Sequence, residues 1–259
     1  MVLNQEERFQ ILNIISFIAV IIVNALANLL PFNGYQTGEI SRMYPNLFTP
    51  APITFSIWSL IYFTLSLFVI YQAQGLISSQ EAPTKLLKKV GYLFSLSSAA
   101  NIGWLFAWHY LKIKLSFLIM LLLLVSLLVI YHSRLNIGMN LERRKEKVFV
   151  QLPFSLYTAW ITVATFANLT VLIVDLNLYG KFIPAQLWTI ALILITVFLT
   201  VYFYRRDIYY NLVISWALLG IIIKRVFIAE ELVSGVVLAA GLGILIIGGS
   251  LISIKEAGS

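Results

Sequence analysis

The sequence contains no cysteine, only two histidines and few charged residues. Without cysteine the chain has no disulfide, no thiolate nucleophile and no Cys-ligated metal site. Asp, Glu, Lys and Arg make up 11% of the 259 residues, whereas they make up about 25% of a typical soluble domain. A chain so poor in charge cannot cover a folded core with polar surface, so its outer surface must face lipid rather than water.

The sequence also lacks the glycine motifs of two common protein classes. It has no G-x-x-x-x-G-K loop for nucleotide phosphates and no G-x-S-x-G element for a serine nucleophile. His109 and His132 come with few acidic residues inside the hydrophobic stretches, so no metal site is expected. His109 lies near the end of a stretch and is expected at the membrane interface rather than on haem iron. We therefore predict no catalytic residue, no metal ligand and no required cofactor.

Hydrophobic residues dominate what is present, at 60% of the chain with a mean hydropathy of +0.91. An α-helix needs about 20 mostly apolar residues to cross a bilayer. Eight such stretches predict an all-α fold, a polytopic transmembrane helical bundle of about eight spans. They lie near residues 9–31, 53–72, 87–110, 115–133, 148–174, 183–204, 208–227 and 232–254.

The 18 Lys and Arg residues are unevenly divided between the two sides of this topology. Twelve lie on the side of the N-terminus, including a basic segment around residues 134–147, and six lie on the other side. Cytoplasmic loops carry the excess of Lys and Arg. We therefore predict a multi-pass protein of the cell membrane with both termini in the cytoplasm. The same excess explains the net charge of +7, so membrane lipid is an expected partner and nucleic acid is not.

Polar and aromatic side chains recur at helical spacing inside several spans. A polar group is costly against lipid, so the face that carries it is expected to point into the bundle. In the first span Asn13, Asn24 and Asn28 share one face. Similar stripes in the second, third and fifth spans are Phe55, Trp58 and Tyr62, then Asn101, Trp104 and Trp108, then Tyr157, Trp160, Ala164 and Asn168.

These stripes have two explanations. Trp and Tyr can form the aromatic belt at the membrane interface, while Asn can join neighbouring helices. Alternatively, aromatic faces with a few hydrogen-bonding groups can bind a large, flat and mostly apolar ligand. The first explanation is favoured for Trp108 and Trp188 near span ends, whereas both stay open for Trp58 and Trp160.

The last span carries small residues at four-residue spacing, namely Gly235, Ala239 and Gly243. Such a face allows two helices to approach closely. It suits either a neighbouring helix of the same chain or a second protomer, so a homodimer is one possible assembly.

The second span carries the most specific pattern. Residues 46–62 read NLFTPAPITFSIWSLIY, a proline pair followed by F-x-x-W-x-x-x-Y. Together with Asn101, Trp104 and Phe106 in the third span and Pro153 in the fifth, they resemble the tryptophan-rich sensory protein family. This family is also called the translocator protein or peripheral benzodiazepine receptor family. The resemblance covers about residues 9–176, and the aromatic residues after Pro153 follow a different order from that of the family.

The resemblance implies a five-helix bundle over residues 1–177, with a lid formed by the loop at 32–52. That loop is rich in glycine, proline and aromatic residues, which is typical of an ordered segment lying on helix ends. Three additional transmembrane helices are expected in 178–259, more uniformly apolar and suited to packing. The resemblance further implies binding of porphyrins, related tetrapyrroles or sterol-like lipids, a sensory or regulatory role, and a tendency to dimerise. Some relatives are credited with light-dependent porphyrin degradation, so the resemblance leaves this activity open for the chain, although a non-enzymatic role is favoured.

These observations predict a membrane sensor or receptor for a flat hydrophobic molecule, with a tetrapyrrole as one possible bound group. The alternative is a secondary transporter of a small metabolite or lipid, in which the additional helices complete a translocation path. The residues expected to bind the ligand are Asn28, Pro50, Phe55, Trp58, Tyr62, Asn101, Trp104, Tyr157, Trp160 and Asn168.

Overall fold

A computed structural model describes residues 3–76, 83–135, 144–229 and 232–257. Every regular element in these residues is helical. Seven helices of the described part are long and apolar enough to cross a membrane, and a bent pair of shorter helices makes an eighth candidate. The predicted all-α bundle of about eight spans is therefore confirmed. Most of the basic segment around 134–147 lies outside the described residues.

The helices follow one another with short connections. They are α1 (Gln5–Leu29), α2 (Thr37–Met43), α3 (Ile57–Gln72), α4 (Thr84–Val90), α5 (Leu93–His109), α6 (Ile113–Leu128), α7 (Arg144–Glu146), α8 (Leu152–Asp175), α9 (Ala185–Phe203), α10 (Ile208–Ile223) and α11 (Ser234–Ala257). Short 3₁₀ turns occupy Phe32–Gly34 and Pro52–Ser56, and π-helical turns occupy Val129–Arg134, Lys147–Gln151 and Lys224–Ile228.

The third predicted span is not continuous. Helices α4 and α5 meet at an angle of 47°, and the break falls at Gly91, whose φ is +51°. Glycine adopts this left-handed conformation without the steric cost that a Cβ imposes. The predicted stretch at 87–110 is therefore a bent pair of helices rather than one straight helix.

Residue contacts divide the chain into two compact units. Unit 1 comprises Met1–Thr37 and Trp58–Thr158, and unit 2 comprises Gly38–Ile57 and Ala159–Ser259. One division falls at the start of α3 and another falls inside α8. The domain boundary expected at residue 177 stays a prediction.

In unit 1, α5 packs against both α1 and α6. The ring of Phe68 in α3 lies 5.2 Å from that of Phe94 and 4.9 Å from that of Phe154, measured between centroids. All three side chains are fully buried. Lipid tails are as apolar as these rings, so close van der Waals packing rather than the hydrophobic effect stabilises the contact.

In unit 2, α9, α10 and α11 pack against one another. A Cβ added to Gly243 would lie 2.8 Å from Val197 of α9 and 3.1 Å from Leu218 of α10, and Gly235 lies against Ile190 of α9. The small-residue face of the last span therefore packs on helices of its own chain, which is one of the two partners left open by the sequence.

Candidate ligand-binding site

Three of the predicted aromatic residues form one cluster in unit 1. Trp58 and Tyr62, one turn apart on α3, stack with centroids 5.3 Å apart and planes inclined by 21°. Tyr157 of α8 meets Trp58 edge-on at 6.1 Å. Tyr157 is 3% exposed, whereas Trp58 and Tyr62 are half-buried. The four-residue spacing on α3 places both rings on one face, as the sequence predicts.

An amide row links this cluster to two further helices. Asn101 of α5, 1% exposed, donates its Nδ2–H to the hydroxyl of Tyr157 at 3.2 Å. Its Oδ1 accepts from Asn24 of α1 at 2.9 Å. Hydrogen-bonding side chains of α1, α5 and α8 thus converge beside aromatic rings. Asn24 points into the unit, as the polar face of the first span predicts.

Trp104 lies one turn after Asn101 on α5 and stacks on Trp108, with centroids 5.8 Å apart. Its indole Nε1–H is buried and has no acceptor among the described residues. Trp108 is different because its Nε1–H donates to the carbonyl of Thr37 at 3.2 Å. A buried donor without an acceptor costs free energy, so the Trp104 indole is suited to a polar atom of a ligand.

His109 holds the start of the 32–52 loop against the end of α5. It is fully buried, with Nε2 2.9 Å from Thr37 Oγ1 and Nδ1 3.3 Å from the carbonyl oxygen of Phe32. The His109 carbonyl also accepts from Asn33 at 3.1 Å. Both ring nitrogens are occupied by protein groups, which leaves neither for a haem iron. Its position near a span end predicted an interfacial residue and gave no sign of this burial.

Glutamines form a second polar network where the start of α1 meets the end of α3. The sequence did not predict this network. Gln10 is 2% exposed and donates to the carbonyls of Gln72 and Gln74 at 2.7 and 2.8 Å. Gln72 is fully buried and donates back to the Gln10 carbonyl at 3.3 Å. Asn13 continues the network by accepting from Ser95 at 3.0 Å. These bonds tie α1, α3 and α5 together.

The remaining predicted residue of unit 1, Asn28, is exposed. Its amide donates to the carbonyl of Asn24, one turn earlier in the same helix, at 2.8 Å. A cavity of about 430 Å³ lies elsewhere in unit 1, at the α4–α5 bend, lined by residues 88–93 and Leu96. None of the predicted ligand-binding residues lines it.

Four predicted residues belong to unit 2. Phe55, 40% exposed, meets the buried Trp160 edge-on with centroids 5.6 Å apart. Pro50 and Asn168 are buried. The part of these four residues in ligand binding stays a prediction.

The proline pair before α3 is held by α10, an arrangement within unit 2 that the sequence did not reveal. The Ala51 N–H donates to the Gly220 carbonyl at 2.9 Å, and Trp216 Nε1 donates to the Thr54 carbonyl at 3.0 Å. A Cβ added to Gly220 would lie 2.9 Å from Thr54 Cβ. Glycine is therefore needed at position 220 for this close approach. The additional helices do more than pack, since α10 positions the proline turn, which is the 3₁₀ segment Pro52–Ser56 and the proline before it.

The comparisons with known proteins point to one family. The family model described as TSPO-like protein matches residues 10–252. The match continues beyond residue 176, where the resemblance in the sequence motifs ends. Neither the curated proteins nor the solved structures contain a match to this chain.

Proposed function

Because this chain belongs to the TSPO-like protein family, and this membership suggests a sensor or receptor in the membrane, we propose that it binds a flat hydrophobic molecule inside unit 1. A porphyrin or related tetrapyrrole is the first candidate, and a sterol-like lipid is the second. The binding residues in this proposal are Trp58, Tyr62, Asn101, Trp104 and Tyr157. The observation that carries it is the indole N–H of Trp104, which lies one helical turn after Asn101 on α5 and has no acceptor among the described residues.

The aromatic cluster supplies the stacking surface for such a ligand. Offset or edge-on contacts between aromatic rings contribute about 0.5–1.5 kcal/mol each beyond simple burial. Trp58 already stacks on Tyr62, so a planar ligand binds either on the outer faces of this pair or between the two rings. The half-burial of both rings leaves part of their faces accessible.

The polar groups would fix the orientation of the bound ligand. Asn101 uses its amide for Tyr157 and Asn24, which fixes the orientation of the Tyr157 hydroxyl. The indole N–H of Trp104 has no acceptor in the part of the chain that the structure describes, so it suits an acceptor on the ligand. A few fixed polar groups in an apolar lining are typical of sites that bind one class of small molecule. This combination fits a ligand with a flat apolar body and a polar edge.

The test uses protein purified in detergent and protoporphyrin IX, with the porphyrin absorbance as the signal so that removal of tryptophan does not change the reporter. Trp58→Leu and Trp104→Leu are each expected to raise the half-saturating concentration about tenfold, the equivalent of about 1.4 kcal/mol. The matched control is Trp188→Leu, a half-buried tryptophan of unit 2, which should bind as the unchanged protein does. Saturable binding that both unit 1 variants leave unaltered would overturn the proposed site.

Two other functions give different results in the same preparation. A secondary transporter would show substrate-dependent proton or sodium flux in proteoliposomes. A porphyrin-degrading enzyme would form product under light and oxygen, whereas a receptor returns its ligand unchanged.

A further inference from the structure

Arg225 is a buried cation near one end of the candidate span Ile208–Ile228. It lies in the π-helical turn that follows α10, and only 7% of its surface is exposed. An ionisable residue inside a membrane is expensive and is usually paired or functional. The bonds that this guanidinium makes therefore decide its role.

The described residues supply no anion for Arg225. Its Nε–H is buried without an acceptor. The ion pairs among the described residues join other groups, Arg42 with Glu39 and Lys88 with Glu6. A guanidinium carries five N–H donors, and leaving such a group buried and unsatisfied is costly.

Among the described residues, the neighbour of Arg225 adds positive charge instead of removing it. Lys224 is half-buried and close enough for the two charges to repel. The phenol of Tyr179 is a described polar group that interacts with Arg225. That hydroxyl already accepts from the Leu47 N–H at 3.0 Å and lies 3.3 Å from Thr189 Oγ1. The phenol is thus engaged by other groups, and no ion pair among the described residues includes Lys224 or Arg225.

We infer that Arg225, with Lys224 beside it, binds an oxyanion, the carboxylate or phosphate head of an amphipathic molecule. Arginine presents parallel N–H donors that match both groups bidentately. The apolar tail of such a molecule would lie along the lipid-facing side of unit 2, where Phe227 and Ile228 are 78% and 55% exposed. This site lies in unit 2 and does not depend on the ligand proposed for unit 1.

The test compares thermal unfolding in three settings: nanodiscs of phosphatidylcholine, nanodiscs that also contain phosphatidylglycerol, and phosphatidylcholine nanodiscs with added sodium oleate. The unchanged protein should unfold at a higher temperature when one of the two anionic molecules is present. A response to phosphatidylglycerol alone identifies a phosphate head group, and a response to oleate alone identifies a free carboxylate. Equal unfolding temperatures in all three settings overturn the inference.

Arg225→Gln should abolish the response, or raise the half-effective anion concentration at least about tenfold, without lowering stability in phosphatidylcholine. The matched control is Arg42→Gln, an exposed arginine of the same unit, which should keep the response. An Arg225→Gln protein that is destabilised equally in all three settings would show a purely structural arginine and overturn the inference.

Glu230 and Glu231 lie outside the described residues, and a second variant tests them as internal counter-ions. Glu230→Gln together with Glu231→Gln should leave the anion response of the protein intact. If the double variant has the same unfolding temperature as Arg225→Gln in all three settings, these glutamates are the counter-ions of Arg225 and the inference fails. If Arg225→Gln does not fold, native mass spectrometry of the unchanged protein decides instead, because a bound acidic lipid or fatty acid should survive a detergent wash.

Discussion

Units 1 and 2 differ in the side chains that join their helices: amides do so in unit 1, whereas in unit 2 the Tyr210 hydroxyl donates to Thr162 at 3.0 Å and glycines allow close contact. In unit 1, side chains bond to partners on other helices, as Asn101 does with Asn24 and Gln10 does with the end of α3. In unit 2, several hydroxyls bond back to their own helix. Thr196 and Thr200 donate to carbonyls four residues earlier, and the helices meet through glycines such as Gly220 and Gly243.

This difference bears on where a ligand can bind. Polar groups that are directed across helices can exchange one partner for another when a ligand arrives, whereas a hydroxyl bonded to its own helix has little to offer. Glycine contacts give close packing and no chemistry. This difference supports the proposal that small-molecule recognition belongs to unit 1, and the oxyanion site proposed at Arg225 is the exception in unit 2.

The largest effect is expected where unit 2 depends on a glycine. Gly220→Ala should lower the free energy of unfolding by about 3 kcal/mol, since the new Cβ overlaps Thr54 and displaces the proline turn. Gly241→Ala is the matched control, because nothing lies within 4 Å of a Cβ there, and it should be neutral or stabilising by up to about 1 kcal/mol. Thermal unfolding in detergent measures both. Equal effects of the two variants would contradict the role of close packing.

The next effect concerns the glutamine network of unit 1. Gln10→Leu should cost about 2 kcal/mol, because the carbonyls of Gln72 and Gln74 lose their donor in a buried position. Gln5→Leu makes the same change at an exposed position of α1 and should stay within about 0.5 kcal/mol. The same unfolding assay applies. A Gln10 variant as stable as the Gln5 variant would show that the network does not hold unit 1.

A smaller effect comes from alkaline pH at the α9–α10 turn of unit 2. Tyr204 stacks on Tyr210 with centroids 3.9 Å apart, and burial raises the pKa of Tyr204 to about 12. The phenol is ordinarily half-ionised near pH 10, so the unfolded chain releases its proton first. Stability is therefore complete below pH 10 and falls between pH 10 and 12, by about 1 kcal/mol at pH 11.

Tyr204→Phe is the control for this titration. Its unfolding free energy should fall less between pH 10 and 11 than that of the unchanged protein, since phenylalanine has no proton to lose. Parallel pH profiles of the two proteins would exclude Tyr204 as the group responsible.

The smallest effect is the coupling between two amides. A double-mutant cycle with Asn24→Leu and Asn101→Leu should give a coupling free energy of about 0.6 kcal/mol, the usual size for hydrogen bonds between transmembrane helices. Asn24 keeps a second acceptor in the carbonyl of Val20 at 2.9 Å, which limits the loss. As a contrast from unit 2, Thr196→Val removes a bond within one helix and should cost less than either Asn variant. A coupling near zero would remove the distinction between the units.

The features that local sequence could predict are those that depend on one helix alone. Hydropathy located the spans, because about 20 apolar residues are required wherever a helix crosses lipid. Helical spacing placed Trp58 with Tyr62 and turned Asn24 inward, since a polar side chain avoids lipid. The motif at residues 46–62 identified the family.

The features that could not be predicted depend on partners far away in the chain. Gln10 and Gln72 lie near helix ends, where glutamine is normally exposed, and only their mutual position shows why they are buried. The sequence around Gly220 does not show why glycine is required there, because the requirement comes from the contact with Thr54. The break at Gly91 needed a backbone conformation that composition does not encode. Arg225 could be seen as a charge at a span end, but its burial could not.

The contact between the proline turn and α10 also sets the order of events during synthesis. Trp216 and Thr54 are 162 residues apart in the chain, so a ribosome must synthesise α10 before the turn ahead of α3 can make this contact. Contacts with such long sequence separation form late and slowly. Until then the early spans of the nascent chain are inserted without the hydrogen bonds that join Ala51 to Gly220 and Thr54 to Trp216. The translocon and any chaperone that attends it must therefore accommodate the start of the second span without these contacts until α10 has been synthesised.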